Sequence, residues 1–299
     1  LGIHKLVMRR GLLSDPKLIA EGTPAEIQIV LGWALNTRSL TILLLLDKFE
    51  AWSSDLQAII KTGKTSFGEL ESTVGRLNHA EYVIPLSRHS LTRLRLRILT
   101  RRHKKQQIIL SRDETDDLKL WVEFLQQARE GISLNCLTIR TPSKLGWSDS
   151  CPFGLGGFLL SGRAWRIQIP SSSPIYGVDI ANNVLEFLAM LVTIWLTILE
   201  CKHEGRQQAC ILAMGDNTSA IGWMHKSGKL KPGSVYHAPV QLIARQIARL
   251  VLHSTHCLAS QHIKGDKNVV FNLLSFAEDV RGYDHPYAIE IPSNLTLTQ

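Results

Sequence analysis

The sequence predicts an α/β domain over residues 145–280, preceded by a smaller, mostly helical α+β region over residues 1–144 and followed by an extension over residues 281–299. Apolar runs of strand length lie at residues 145–147 and 210–214, with a longer apolar segment of helical length between them. Acidic residues occur inside or beside these apolar and glycine-rich elements rather than in charged runs. Acids in such positions are candidates for a functional site.

The first region is predicted to begin as a β-hairpin followed by helices. Apolar, strand-like runs at residues 29–35 and 40–46 are separated by the polar stretch 36–39, which indicates two strands and a turn. Helical spacing then relates five positions: Glu71, Val74, Leu77, Ala80 and Val83. A plain helical domain is the alternative interpretation of this region.

Residues 88–105 form a basic stretch without any acid. Leucines at alternating positions predict a helix that buries one side and leaves a basic face. Such a face can follow a phosphate backbone with salt-sensitive, sequence-independent affinity, although a solvated surface or a nuclear-import patch would give the same pattern. The basic residues are Arg88, Arg93, Arg95, Arg97, Arg101, Arg102, Lys104 and Lys105.

The next helix is predicted to begin at Ser111 or Thr115, either of which can cap it. Acidic residues in its first turn suit the helix dipole. Its apolar face is formed by Leu118, Leu120, Trp121, Phe124 and Leu125.

Two of the candidate acids are Asp149 and Glu186. Asp149 follows the apolar run at residues 145–147 and precedes a glycine-rich stretch, so we expect it near one edge of a strand where a ligand can approach closely. Asn182 or Asn183 can cap the apolar helix over residues 184–199, which would put Glu186 in its first turn.

The third acid, Asp216, falls at the carboxyl end of the predicted strand 210–214, after the closing Gly215. Asn217, Thr218 or Ser219 can start the helix that follows. Acids at strand ends and a helix start can converge in space, and converging carboxylates repel one another unless cations hold them. Hard oxygen ligands of this kind suit Mg²⁺ or Mn²⁺ together with substrate phosphate oxygens, which predicts phosphodiester hydrolysis.

Several cationic side chains near these acids are candidates for binding phosphates. Arg163 and Arg166 flank Trp165 in a predicted hairpin whose turn is Ser161–Gly162, and they either contact phosphates or decorate an exposed strand. Lys226 has the same two interpretations, substrate contact or plain surface.

Five segments in chain order carry a resemblance to a known family: SDSCPFGLGGF, GRAWR, NNVLEFLA, GDNTSAIGW and HIKGDKNVVFNLLSF. Together, over residues 146–276, they resemble the RNase H domain that follows reverse transcriptase in retroelement polyproteins. The resemblance implies a mixed five-stranded sheet flanked by helices, two-metal catalysis at Asp149, Glu186 and Asp216, and cleavage of the RNA strand of RNA:DNA hybrids. The order Asp, Glu, Asp argues against an integrase, in which the glutamate comes last.

One position departs from that family. Where the family has a fourth metal-binding aspartate, this chain has Asn272, preceded by Phe271 in place of alanine. An amide offers a neutral oxygen, so affinity for the second cation should fall. The resemblance therefore implies a weakened or inactive nuclease as well as an active one, and a non-catalytic nucleic-acid-binding module is the alternative.

Residues 26–97 resemble the segment between polymerase palm and RNase H in DIRS-like or Ty3-like retroelements, which corresponds to thumb and connection. A polymerase active site is not expected, since the paired Asp116 and Asp117 lie at a helix start. With Leu1 as the first residue, we expect a fragment of a polyprotein whose palm is encoded upstream or lost.

Composition favours an intracellular, cytoplasmic or nuclear protein with a nucleic-acid partner. Lysine and arginine number 34 against 26 acidic residues, giving a net charge of +8. The five cysteines show neither zinc spacing nor a disulfide framework, as in a reducing compartment. The apolar helix over residues 184–199 is short for a membrane span and contains Glu186, which predicts a core helix and no membrane partner.

Overall fold

The computed structural model describes residues 25–99, 103–138, 140–174, 176–177, 182–226, 234, 236–265 and 289–290. The predictions for Arg101, Arg102, Asn272, the Lys226 side chain and nearly all of the extension over residues 281–299 lie outside the described part.

The first region opens with an antiparallel meander rather than the single predicted hairpin. Its strands are β1 (Ile27–Val30), β2 (Trp33–Asn36) and β3 (Thr41–Leu44), each paired with the next. The predicted strand over residues 29–35 is wrong because Leu31 and Gly32 form a turn, with φ of 52° and 82°. Leucine is rare in this left-handed conformation, so the signal for the turn in the sequence is the single glycine, Gly32.

Helices and a short strand pair complete the first region. Helix α1 spans Leu46–Thr62, α2 spans Phe67–Ala80, α3 spans Thr92–Leu99 and α4 spans Arg112–Glu130. Strands β4 (Lys64–Ser66) and β5 (Gln107–Ile109) pair with each other, and β6 (Ile132–Ser133) pairs with β3.

Helix α4 confirms its predicted start and its predicted apolar face. The Ser111 hydroxyl accepts a hydrogen bond from the Glu114 amide at 3.2 Å, and the Ser111 amide donates to the Glu114 carboxylate at 2.8 Å. This capping box satisfies two amides that the helix itself cannot pair. All five predicted apolar side chains of the helix are buried. In α2 the expected helix also forms, but it ends at Ala80 and leaves Glu71 exposed.

The second region contains the predicted mixed sheet. Strand order is β11-β10-β7-β8-β9-β12, in which β7, β8 and β9 run antiparallel while β10 lies parallel to both β7 and β11. The five longer strands match the predicted number, and the two-residue β12 adds a sixth beside β9. This arrangement is compatible with an RNase H-like fold. The strands are β7 (Lys144–Cys151), β8 (Gly154–Leu159), β9 (Ala164–Gln168), β10 (Cys210–Gly215), β11 (Cys257–His262) and β12 (Ile289–Glu290).

Three helices belong to this sheet: α5 (Asn182–His203), α6 (Thr218–Lys226) and α7 (His237–Leu252). Among the described helices, α5 has the length and apolar composition of a membrane span, but 72% of its most apolar window is buried inside the protein. Its buried side chains pack against both the sheet and α7, as a core helix does.

The two regions pack against each other through α7. Ala248 and Leu252 of this helix are buried in the core of the first region. The predicted division before Leu145 falls one residue inside β7, and it stays a prediction.

A glycine in β8 gives a test of this packing. A Cβ atom at Gly157 would lie 2.3 Å from Nε1 of Trp165 and 2.6 Å from the Trp147 carbonyl oxygen, so Gly157→Ala should destabilise the protein by roughly 1–3 kcal/mol. Urea denaturation measures the change. Gly75→Ala is the matched control, because its Cβ meets nothing within 4 Å inside α2 and should stabilise by about 0.5–1 kcal/mol. Equal effects at the two positions would contradict the described packing.

Candidate metal centre

Asp149 lies in β7 and is 5% exposed. Its neighbour across the sheet is Gly156 of β8, which has no side chain to cover it. Asp149 therefore lies near the end of a strand, as predicted, and its catalytic role stays a prediction.

Glu186 reaches the same place from helix α5 and is 3% exposed. It is the fifth residue of the helix, so the prediction that it lies in the first turn is wrong by one or two residues. The described helix begins at Asn182, whereas the sequence analysis placed this residue before the helix as a possible cap. One carboxylate oxygen of Glu186 accepts a hydrogen bond from the Ser150 amide at 3.0 Å, which fixes the side chain beside β7.

Asp216 directly follows β10, as predicted, and α6 begins two residues later. The Asn217 side-chain oxygen accepts hydrogen bonds from the amides of Ser219 and Ala220, both at 3.0 Å, and so caps α6. The end of β11 holds the Asp216 backbone, because His262 Nε2 lies 2.9 Å from its carbonyl oxygen.

The three acids converge. One oxygen from each of Asp149, Glu186 and Asp216 lies within 4.8 Å of the other two. Burial raises the pKa of Glu186 to about 9, and the charges of Asp149 and Asp216 raise it as well, against the opposing hydrogen bonds from Ser150. Two of these carboxyl groups are buried and the third is half-buried, so the three cannot all ionise so close together without a counter-charge.

A divalent metal ion fits these residues. The donors are carboxylate oxygens, which Mg²⁺ and Mn²⁺ prefer, and they come from three separate elements held by hydrogen bonds. Within the described chain this is the one group of three or more acidic, histidine or cysteine side chains with such spacing. The predicted fourth ligand, Asn272, lies outside the described residues.

The raised pKa of Glu186 predicts that Glu186→Gln stabilises the metal-free protein by roughly 1–2 kcal/mol near neutral pH. The unfolded carboxyl group loses its proton near its ordinary pKa of 4.5, whereas the folded one keeps it to about 9. Stability of the wild type should therefore fall as pH rises between these values, because the folded state binds the extra proton. Glutamine keeps the acceptor for Ser150 and has no charge to bury.

Thermal unfolding of wild type and variant in EDTA, from pH 4 to pH 9, measures this difference. Glu71→Gln makes the same chemical change at an exposed site on α2 and should leave stability unchanged. A wild type that gains stability with pH relative to Glu186→Gln would contradict the assigned environment.

Three arginines of the basic stretch are paired with acids instead of lying free on a basic face, whereas Arg88, Lys104 and Lys105 are exposed. Arg93 lies 3.3 Å from Asp117, Arg97 lies 3.0 Å from Glu114, and Arg95 forms an ion pair with Glu81. The expected face is thus corrected, because acids distant in sequence pack against these arginines. Their role in nucleic-acid binding stays a prediction.

Of the leucines expected on the buried side of this helix, Leu91 and Leu94 are fully buried, whereas Leu99 is 73% exposed.

Of the two arginines of the predicted hairpin, Arg166 lies in β9 and Arg163 directly precedes it. The turn at Gly162 is confirmed, with φ of 93°, and Trp165 between the arginines is buried. Arg163 lies 3.9 Å from Glu200 of α5. Arg166 is in register with Gly156 and, through it, with Asp149. Lys226 is the last residue of α6.

Two contacts near the site were not anticipated from the sequence. Asn217 donates a side-chain hydrogen bond to Asn183 at 2.7 Å, which joins the start of α6 to the start of α5. His89 is buried, and its Nε2 lies 2.9 Å from the Met224 carbonyl oxygen of α6. The signal in the sequence for the first contact is that asparagines stand close to two of the acids: Asn183 precedes Glu186, and Asn217 follows Asp216.

Comparison with known proteins gives distant likenesses only. A scan against protein-family models found no match, and neither did a search of the curated proteins. Among solved structures, a foamy viral protease-reverse transcriptase dRH in complex with double-stranded DNA matches at 14% identity and TM-score 0.28, covering 79% of this chain and 38% of that one.

Two further foamy viral protease-reverse transcriptase structures give similar values. The complex with double-stranded DNA has 14% identity, TM-score 0.28 and coverage of 80% of this chain and 45% of that chain. The complex with an RNA/DNA hybrid has 12% identity, TM-score 0.28 and coverage of 92% and 31%. This chain thus spans less than half the length of each. A TM-score of 0.28 is too low to decide fold or function, so the function is inferred from the site.

Proposed function

We propose that this chain is part of a retroelement reverse transcriptase and that its second region is an RNase H-type endoribonuclease, which hydrolyses the RNA strand of RNA:DNA hybrids. The observation that carries the proposal is the cluster of Asp149, Glu186 and Asp216, whose oxygens lie within 4.8 Å of one another at one end of a mixed sheet. The resemblance of the surrounding motifs to the RNase H family supplies the substrate class.

Asp149, Glu186 and Asp216 would hold Mg²⁺ or Mn²⁺. A bound pair of such ions supplies activation of the attacking water and stabilisation of the leaving oxygen at phosphorus. The chain's own contribution is positioning: β7 fixes Asp149, the Ser150 amide orients Glu186, and the capped start of α6 follows Asp216. Burial of the first two acids keeps bulk water from competing for them.

The remaining predictions belong to the same proposal. The region before residue 145 would be the thumb and connection, and the rest of the polyprotein would be its covalent partner inside the cell. Nucleic acid would be the substrate, and a membrane would have no part in its function.

A second candidate function is a non-catalytic module that binds a hybrid or duplex without cutting it. Asn272 favours it, because a neutral amide stands where the family has the fourth acid. Both functions require nucleic-acid binding, so cleavage is what distinguishes them.

Cleavage of a labelled RNA:DNA hybrid in Mg²⁺ and in Mn²⁺ tests the proposal, comparing the wild type with Asn272→Asp. We expect cleavage that rises with Asn272→Asp. Activity only in the variant would mean an intact scaffold with a disabled site. Salt-dependent binding without cleavage by either protein would select the non-catalytic module, and no binding at all would overturn both.

A further inference from the structure

Phe153 and Tyr176 form an exposed aromatic pair. Their rings lie 5.1 Å apart at 64°, and the residues are 44% and 38% exposed. Within the described part of the second region, the other aromatic residues are buried or half-buried. A pair of neighbouring aromatic side chains left at the surface indicates a binding contact more than a packing contact.

Backbone hydrogen bonds hold this pair in place. Phe153 is the second residue of the two-residue turn between β7 and β8, and its carbonyl oxygen accepts from the Ile169 amide at 2.9 Å. The carbonyl oxygen of Pro152 accepts from the Gly177 amide at 2.9 Å, next to Tyr176. Gly177 adopts φ of 72°, a conformation that glycine permits. The backbone that carries both rings is therefore held in place before any ligand binds, which lowers the entropic cost of binding one.

The aromatic pair lies at the same end of β7 as the candidate metal centre. Phe153 follows Asp149 by four residues, so the two are separated by at most about 14 Å. That distance corresponds to roughly four base-pair steps at 3.4 Å each. A nucleic-acid strand with one phosphate at the carboxylates can therefore place a nearby base on the two aromatic rings.

We infer that Phe153 and Tyr176 form a stacking surface for an unpaired or terminal base of the nucleic acid whose phosphate lies at the carboxylates. The inference rests on the proposed function and narrows its substrate to hybrids that present such a base within about four steps of the cut. A base inside a continuous duplex has both faces covered by its neighbours, whereas an unpaired base has a free face. Stacking of a base on an aromatic side chain is independent of sequence because every base has such a face.

The test compares two hybrids that carry a one-nucleotide RNA overhang, in one case with its base and in the other abasic. Their affinities are measured by fluorescence anisotropy with Ca²⁺ in place of Mg²⁺, so that binding is separated from cleavage. We expect the wild type to bind the hybrid with the base about tenfold more tightly. Phe153→Leu and Tyr176→Leu, which keep an apolar side chain, should reduce this ratio toward one.

Tyr82→Leu is the matched control, because Tyr82 is an aromatic residue of the first region that is 81% exposed. It should keep the tenfold ratio. If Phe153→Leu does not fold, Phe153→Trp should preserve or increase the ratio. A wild-type ratio of one, or a ratio that survives both leucine substitutions, would overturn the inference while leaving the nuclease intact. Stacking without cleavage would keep the inference and remove the nuclease, and absence of binding would overturn both.

Discussion

Asp149→Asn is expected to lower the rate of hybrid cleavage by about 10³-fold or more. Asp149 comes from the sheet and is 5% exposed, so its replacement removes a negative ligand that no described neighbour can supply. Loss of metal-ion stabilisation worth several kcal/mol corresponds to a rate change of this size. Single-turnover cleavage of a labelled RNA:DNA hybrid in Mg²⁺ measures it.

Two controls separate lost chemistry from lost structure. Asparagine has nearly the same shape as aspartate and removes a buried charge, so the melting temperature of metal-free Asp149→Asn should equal or exceed that of the wild type. Glu71→Gln, at an exposed position, should cleave like the wild type. Cleavage that persists in Asp149→Asn would show that the activity arises elsewhere or from a contaminant.

The candidate site was predictable from the sequence because each acid stands in a local context that fixes its element. Asp149 follows an apolar run, and Asp216 follows another run that is closed by glycine. The ends of these strands and the start of a helix lie at one edge of a sheet. The convergence of the three acids could therefore be predicted without knowing which distant residues are in contact. Glu186 lies one or two residues further into its helix than predicted, because the sequence does not fix a helix start when either of two asparagines could be the cap.

The fold of the first region was less predictable because tertiary contacts decide it. The turn at Leu31–Gly32 interrupts an apolar run that was predicted as one strand, and a single glycine was too weak a signal to divide it. Helix α4, by contrast, has a capping box and a continuous apolar face, both local features that sequence reveals. The ion pairs of Arg93, Arg95 and Arg97 could not be predicted for the same reason as the turn, since their acidic partners come from distant elements.

One of these distant partners, Asp117, connects three helices. Asp117 of α4 is 1% exposed and lies 3.3 Å from Arg93 of α3 and 2.5 Å from Arg245 of α7. Burial raises the pKa of Asp117 to about 8, and the charges of Asp113, Asp116 and Glu114 raise it as well, against the opposing Arg93 guanidinium. The contact with the Arg245 guanidinium also favours the carboxylate. The two arginines are only 14% and 13% exposed. The junction thus connects the first region to α7 of the second through one shared anion.

Asp117→Ala should therefore destabilise the protein by about 3–5 kcal/mol, because it leaves two buried guanidinium groups without their counter-charge. Urea denaturation followed by circular dichroism measures the loss. Its neighbour supplies the matched control: Asp116 is 40% exposed and pairs with Lys119 at 2.9 Å, so Asp116→Ala should cost no more than about 0.5 kcal/mol. Equal losses for adjacent aspartates would mean that the buried junction contributes no more than a surface pair. A large loss at Asp117 alone would instead show that this buried junction stabilises the packing of the first region against α7.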